Sequence, residues 1–280
     1  MTMPSQTSEP RILVGESAEK LTKLIKEKTG INISESNFSA LQKKLCSRIA
    51  SLNIEVFSDY LRLLQDSSSG EMNFLLNSST INFTSFMREK EHFHILTDKI
   101  LPDVLERNSA NKRLRIWSAA CSSGEEAYTL AIVLKEALGA SPGWDVKIIA
   151  TDLDTDVLNS ARAGVYQKKR IDTFNSIRQQ KWFEDFSEDT EKVRVKKEIR
   201  DMVDFRQLNL VDEWRMFDKV DIIFCRNVLI YFDNETREKL INRFIEQLSN
   251  NGWLVVSRTE SIFGENNRLQ SFGNSVYQIK

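Results

Sequence analysis

The sequence predicts an α/β fold preceded by a small helical domain, and two observations carry that prediction. From Arg113 onward, short apolar runs alternate with helical stretches, the pattern of a parallel sheet covered on both faces. Before residue 80 the clear periodicity is the 3.6-residue spacing of helices. A length of 280 residues suits one large domain or two ordinary ones, and 41% apolar residues allow a real core. A net charge of -1 gives no overall pull towards nucleic acid or anionic membrane.

In the first part, Leu21, Leu24, Ile25 and Lys28 share one helical face, closed by Gly30. Phe38, Leu41, Leu45 and Ile49 form a second face, Phe57, Tyr60, Leu61 and Leu64 a third, and Met72, Leu75 and Leu76 a fourth. Residues 16–80 are therefore a helical domain, and residues 81–112 a linker with a helix that leads to the sheet. The alternation then begins. Leu114 to Ala119 is a strand, Glu125 to Leu138 a helix closed by Gly139, and Val146 to Ala150 a strand ending in Thr151-Asp152. Thr155 to Ala163 is a helix closed by Gly164, Val203 to Leu208 a strand ending in Asn209, and Val220 to Phe224 a buried strand. Asn234 to Leu248 is a helix, Asn250-Asn251-Gly252 a turn, and Trp253 to Ser257 a strand. Ser275 to Ile279 is a last strand, placed to run antiparallel at the edge. Residues of about 165–202 break the alternation and read as an insertion with a small hairpin of its own, in which Val193 to Lys196 alternates like a strand.

No stretch approaches the roughly 18 apolar residues of a spanning helix. Met1 to Pro10 is polar and lacks the apolar core of a secretory signal, so residues 1–15 are expected to be a flexible N-terminus. Cys46, Cys121 and Cys225, an odd number without regular spacing, argue against a disulfide framework and for a reducing cytoplasm.

Chemistry-bearing residues gather where strands end. In an open parallel sheet, ligands bind beyond the carboxyl ends of the strands. The strand from Val220 delivers Asn227 and Tyr231 there. Trp117-Ser-Ala-Ala-Cys-Ser-Ser-Gly-Glu-Glu126 joins another strand to a helix with small residues, which lets a ligand approach the backbone. Glu125 and Glu126 would repel a pyrophosphate and suit a cationic group, or they complement the helix dipole. Asp152 ends its strand where an acidic side chain accepts ribose hydroxyls. Asp154 or Thr155 fits the following helix cap better. Asn82, Thr84 and Arg88 together suit a carboxylate or carbonyl, or are a cap and a surface arginine. His92 and His94 lie two apart, which on a helix gives no shared face, and no metal site is expected. Cys121 and Cys225 read as ordinary buried cysteines. Lys43, Lys44 and Arg48 form a basic face, either solvated or meeting an acidic partner.

Five blocks in this order resemble the chemotaxis receptor methyltransferases, the CheR family. They are Asn82-x-Thr84-x-x-x-Arg88, Trp117 to Glu126, Thr151-Asp152-Leu-Asp154, Asn209-Leu210, and Cys225-Arg-Asn-Val-Leu-Ile-Tyr-Phe232. The resemblance implies a class I, Rossmann-like methyltransferase sheet with a helical N-terminal domain for receptor docking and an inserted β-subdomain. It implies S-adenosylmethionine as cofactor and S-adenosylhomocysteine as product, with methyl transfer to glutamates on the cytoplasmic helical domain of chemoreceptors. By motif, Asn82, Thr84, Arg88 and Glu125 contact the methionine end of the cofactor or groups beside it. Asp152 holds the ribose, Asn209 and Leu210 flank the adenine, and Asn227 and Val228 line the pocket. Tyr231 and Arg88 are the catalytic candidates. No nucleic acid, no membrane insertion and a cytoplasmic monomer are expected. Two other readings stand beside this one: a cofactor-binding signalling protein without turnover, and an O-methyltransferase acting on a non-receptor carboxylate. Three features depart from the family pattern. Met87 replaces a second Phe, Arg258-Thr259-Glu260 stands where His-Ser-Glu is common, and the helical domain is less basic.

Overall fold

The computed structural model describes residues 15–139, 143–214, 218–262 and 267–280. All but the last residue of the segment expected to be a flexible N-terminus lies outside them. The chain divides into two compact units, Met1–Ile81 and Asn82–Lys280.

The first unit holds α1 (Glu16–Thr29), α2 (Glu35–Ser51), α3 (Phe57–Gln65) and α4 (Glu71–Ser79). Local chemistry sets its helix ends. Gly30 ends α1 with φ of 72°, the left-handed conformation that favours glycine, and its N–H donates to the Lys26 carbonyl. The Ser34 side chain caps α2 by accepting from the Asn37 N–H. The apolar faces meet in a core of Leu21, Ile25, Leu45, Ile49, Tyr60 and Leu75.

The second unit opens with α5 (Lys90–Ile95), which passes through one π turn (Leu96–Ile100) into α6 (Leu101–Arg107). Pro102, in the first turn of α6, has no N–H for the carbonyl four residues earlier, and the helical ladder widens just before it. Then follow β1 (Arg113–Ala119), α7 (Glu125–Leu138), β2 (Asp145–Asp152) and α8 (Thr155–Ala163). The inserted segment holds β3 (Val165–Gln167), a 3-10 turn (Lys168–Ile171), α9 (Ser176–Trp182), β4 (Phe183–Asp185), β5 (Lys192–Val195) and α10 (Lys197–Arg200). The main sheet resumes with β6 (Val203–Gln207) and β7 (Val220–Cys225), and a 3-10 turn (Leu229–Tyr231) precedes α11 (Asn234–Gln247). Last come β8 (Leu248–Val256), β9 (Leu269–Ser271) and β10 (Val276–Ile279).

The seven-stranded sheet has the order β6-β2-β1-β7-β8-β10-β9. Pairing is parallel from β6 through β8, and β10 runs antiparallel to both β8 and β9. The strand order reverses between β1 and β7, the crevice where this architecture binds ligands. Register aligns the strand ends there. Ala119 of β1 pairs with Thr151 on one side and with Cys225 on the other. The loop after β1, Asp152, and the Arg226-Asn227 step therefore emerge side by side.

Three details differ from the sequence reading. The insertion is a three-stranded antiparallel sheet, β3-β5-β4, where a hairpin was expected. β8 starts at Leu248, five residues before the expected start. Val220 pairs with Leu248 and Ile222 with Trp253, so the apparent turn at Asn250-Asn251-Gly252 is an irregularity inside one strand. β9 was not anticipated.

α7 is buried nearly all round, from Ala127 to Leu134, as a helix between two layers must be. The inserted sheet is anchored on it. Trp182 Nε1 donates to Glu136 Oε1 (2.8 Å), and Arg178 Nε donates to the same oxygen (3.1 Å). Phe86, fully buried, packs edge-on against Tyr166 and Phe183 of the insertion at 5.0 and 5.5 Å. That ring fixes the segment from Asn82 to Glu89 against the sheet unit.

Candidate active site

The loop after β1 is bent by left-handed residues, Ala120 (φ 61°), Ser122 (51°) and Gly124 (93°). A Cβ on Gly124 would lie 2.9 Å from Ala161 Cβ and 3.1 Å from the Tyr166 hydroxyl, so α7 could not start here with a larger residue. The bend turns the Ser122 N–H onto Asp152 Oδ2 (2.7 Å), while Oδ1 accepts from the Asp154 N–H (3.0 Å). Asp152 is buried, and that burial pushes its pKa up to about 6 against the pull of the two N–H groups.

Asn82 ties two loops together. Its Nδ2 donates to Asp154 Oδ2 (2.7 Å), and its carbonyl accepts from Ser122 Oγ (3.1 Å). Asp154 Oδ1 caps α8 by accepting from the Asp156 and Val157 N–H groups, the role its position implies. Thr84 is half-buried on the same segment. Arg88 donates from Nη1 to the Phe83 carbonyl (2.7 Å), and its guanidinium lies 5.5 Å over the Phe83 ring.

Glu125 has no exposed side-chain surface. Its Oε1 pairs with Arg170 of the inserted segment, and its Oε2 accepts from Ser123 Oγ (2.7 Å). Beyond β6, Asn209 Nδ2 reaches Asp212 Oδ1 (3.3 Å), and the carbonyl of buried Leu210 accepts from Trp214 Nε1 (3.1 Å) and Arg243 (2.9 Å). After β7, Asn227 takes φ of 59°, and the Val228 carbonyl accepts from the Tyr231 N–H (3.1 Å). Tyr231 is half-buried. Burial raises its pKa, while the nearby charge of Arg88 pulls it down. The charge of Arg88, on the segment before α5, therefore reaches Tyr231 on the turn after β7.

Residues 16–80 match the CheR methyltransferase all-alpha domain, and residues 82–278 match the CheR methyltransferase SAM-binding domain. The chain belongs to the CheR methyltransferase family. Its relatives include a chemotaxis protein methyltransferase of Borreliella burgdorferi, 39% identical over 89% of this chain and 89% of the relative. Chemotaxis protein methyltransferase 2 of Pseudomonas aeruginosa is 38% identical over 89% of this chain and 88% of its own length. The Escherichia coli chemotaxis protein methyltransferase is 35% identical over 93% and 89%. The cofactor of this CheR family member is S-adenosylmethionine.

The structure also brings in Arg226 and Glu89, which the sequence does not single out. Arg226, almost fully buried, donates from Nη1 to Glu126 Oε2 (3.1 Å) and from Nη2 to the Arg88 carbonyl. Its Nη2 lies 3.6 Å from Glu89 Oε2. Glu126 Oε1 accepts from Ser118 Oγ (2.6 Å), and burial still raises the Glu126 pKa against Arg226. For Glu89, burial opposes ionisation, but Arg226, Ser257 and Asn227 outweigh it and lower the pKa. Glu260 is buried and accepts from the N–H groups of Asn227 (2.7 Å), Ser257 (3.1 Å) and Ile230 (3.2 Å). The Arg258-Thr259-Glu260 stretch thus holds the ends of β7 and β8 together through its glutamate. His92 is buried and donates from Nε2 to the Asn274 carbonyl (2.8 Å), while His94 is exposed, so the two histidines point apart. Burial pushes the Cys121 and Cys225 thiols well up, leaving them protonated. In the helical unit Arg48 turns inward to pair with Glu71, so of the basic face only Lys43 and Lys44 are free-standing surface groups.

No helix among the described residues is long and apolar enough to cross a membrane.

Proposed function

We propose that this chain transfers a methyl group from S-adenosylmethionine to glutamate side chains on the cytoplasmic helical domain of chemoreceptors. The products are glutamate methyl esters and S-adenosylhomocysteine. The protein acts as a cytoplasmic monomer, and its helical unit docks the receptor. The observation that supports the acceptor chemistry is that Arg226, at the end of β7, bonds the Arg88 carbonyl, which ties the Arg88 segment to the strand end that leads to Tyr231. The names of the relatives support the receptor as substrate.

The residues present fit the cofactor. Asp152 offers carboxylate oxygens to a ribose diol at the end of β2. Glu125 offers a buried carboxylate to an ammonium group. Asn82, Thr84 and Arg88 would hold the methionine end, Asn209 and Leu210 would flank the adenine, and Asn227 and Val228 would line the space between. When bound, the cofactor supplies an electrophilic methyl group on a sulfonium.

A glutamate carboxylate has an unperturbed pKa of about 4.3 and is already a nucleophile at neutral pH. The protein therefore needs no general base. Its task is to align the carboxylate and exclude water. Arg88, its side chain fixed by the Phe83 carbonyl, supplies positive charge to steer the acceptor. Tyr231, with its pKa raised by burial, keeps its proton and donates a hydrogen bond. A receptor cytoplasmic fragment incubated with methyl-labelled cofactor should take up label that mild base releases. Tyr231→Phe should lower kcat about tenfold, the value of one hydrogen bond. Label that survives base, or full turnover by Tyr231→Phe, would overturn the ester product or the hydroxyl's role respectively.

A further inference from the structure

We propose that Glu89 is a positioning residue that clasps the two flanks of the site, the Arg88 segment and the Asn227–Tyr231 segment, into one arrangement. The inference rests on the assignment of Arg88, Asn227 and Tyr231 under the proposed function.

Three independent features carry it. The first is backbone strain. Glu89 has φ of 53°, and Met87 has φ of 55°, so two long side chains on either side of Arg88 sit in the left-handed region. Residues of this type avoid that region unless their surroundings hold them there. Asn227 on the opposite flank is left-handed as well, at 59°.

The second is where the carboxylate reaches. Glu89 Oε1 accepts from Asn227 Nδ2 (3.2 Å) and from Ser257 Oγ (2.8 Å). Asn227 Nδ2 donates to Ser257 Oγ as well (2.8 Å), which closes a triangle of side chains. Glu89 Oε2 accepts from the Arg258 N–H (3.3 Å). One carboxylate thus joins the segment before α5 to the ends of β7 and β8.

The third is the division of labour around Arg226. Its guanidinium bonds to Glu126 and to the Arg88 carbonyl, while Glu89 stands farther off at 3.6 Å. Glu126 is the closer counter-ion. Glu89 makes its shorter contacts to Ser257 and Asn227, with His92 Nδ1 3.3 Å and Arg226 3.6 Å from its Oε2, so these hydrogen bonds across the flanks are closer than either ionic contact. Arg226 holds the Arg88 carbonyl, and the residue that follows, Glu89, is held through its carboxylate by Asn227, Ser257 and the Arg258 N–H. Between them the backbone of Arg88 is fixed on its C-terminal side.

The test uses the full chain, with Glu89→Ala and Glu89→Gln compared by two readouts. Hydrogen–deuterium exchange, with S-adenosylhomocysteine bound, is followed in peptides covering residues 82–90 and 226–232. Glu89→Ala should speed exchange in both, and Glu89→Gln, whose amide oxygen still accepts from Asn227 and Ser257, should stay near the wild type. In receptor methylation, Glu89→Ala should lose about 100-fold in kcat, the scale of a misplacement near 1 Å. Glu89→Gln should lose no more than about tenfold. Unchanged exchange in Glu89→Ala overturns the clasp. So does an equal loss in both variants that tracks the fraction of protein binding S-adenosylhomocysteine, because that marks a general folding defect. If the wild type methylates no receptor but the exchange pattern holds, the proposed function fails and the clasp stands.

Discussion

In the helical unit, one buried carboxylate, Glu71, meets one arginine, Arg48, with the Tyr60 hydroxyl 3.4 Å away. At the carboxyl end of the sheet, Glu125, Asp152, Asp154 and Glu260 are all buried, and Glu89 and Glu126 are largely so. Arg226, Arg170 and Arg88 are the guanidiniums among them. The first arrangement is a local staple on an apolar core. The second is a surplus of carboxylates that the fold satisfies with backbone N–H groups, hydroxyls and shared guanidiniums. Such a surplus is hard to justify by stability, since buried charge is expensive to desolvate. It suits a ligand that carries sulfonium and ammonium charge.

The sharpest way to break this comparison is Arg226→Met. It leaves Glu126 and Glu89 facing each other without their shared cation. Removing one partner of a buried ion pair costs about 3–5 kcal/mol. All five tryptophans lie after residue 81, so tryptophan fluorescence during urea unfolding reads the sheet unit alone. The loss should be larger at pH 8 than at pH 5, because protonation relieves part of the stranded charge. Arg48→Met, followed by circular dichroism, should destabilise less, since Arg48 is partly exposed and water can reach the space it leaves. Equal losses in the two variants would mean that the two units handle charge alike.

The sequence displays the single residues at strand ends and hides the pairs between them. Asp152, Asn209 and Asn227 stand out because each follows an apolar run, and strand periodicity is a local signal. Glu89 and Arg226 are 137 positions apart and meet only through the β1/β7 reversal. Neither looks unusual in its own window. Glu260 was visible only as part of a departure from the family pattern, and its three backbone contacts appear once β7 and β8 lie side by side. β9 spans three residues and gains its identity from β10, so no window of sequence could carry it. The start of β8 was misplaced because Asn250-Asn251-Gly252 has turn chemistry, and here a positive-φ Asn251 serves a bulge instead.

A smaller effect sharpens the ligand side of the comparison. Asp152→Ala should weaken S-adenosylhomocysteine binding about 10- to 100-fold in calorimetry, the range for hydrogen bonds to a charged group. Its effect on kcat at saturating cofactor should be less. Asp152 also sets a pH dependence. Its pKa of about 6 in the folded chain lies above the ordinary 3.8, so the folded chain binds the proton more tightly than the unfolded one. Its contribution to stability therefore falls as pH rises from about 4 to 6, and is flat above that. Ligand affinity should move the other way. The ionised carboxylate is the better acceptor, so binding should strengthen through pH 6 and then level off. Asp152→Asn should flatten that profile, and an unchanged profile would remove Asp152 from the ribose.

Arg170→Gln should give the smallest change. Glu125 is fully buried, whereas the Arg170 side chain is nearly half exposed and sits on the 3-10 turn of the inserted segment. If Glu125 holds the cofactor's ammonium, Arg170 competes with the ligand for the same carboxylate. An ion pair with an exposed partner is worth about 0.2–1 kcal/mol. Removing the competitor should then tighten S-adenosylhomocysteine binding by about 1.5- to fivefold. The gain should shrink with added salt, which already weakens the wild-type pair. Weaker binding in Arg170→Gln would reverse the assignment. Arg170 would then hold the ligand itself, and the inserted sheet would belong to the cofactor site as much as β1 and β2 do.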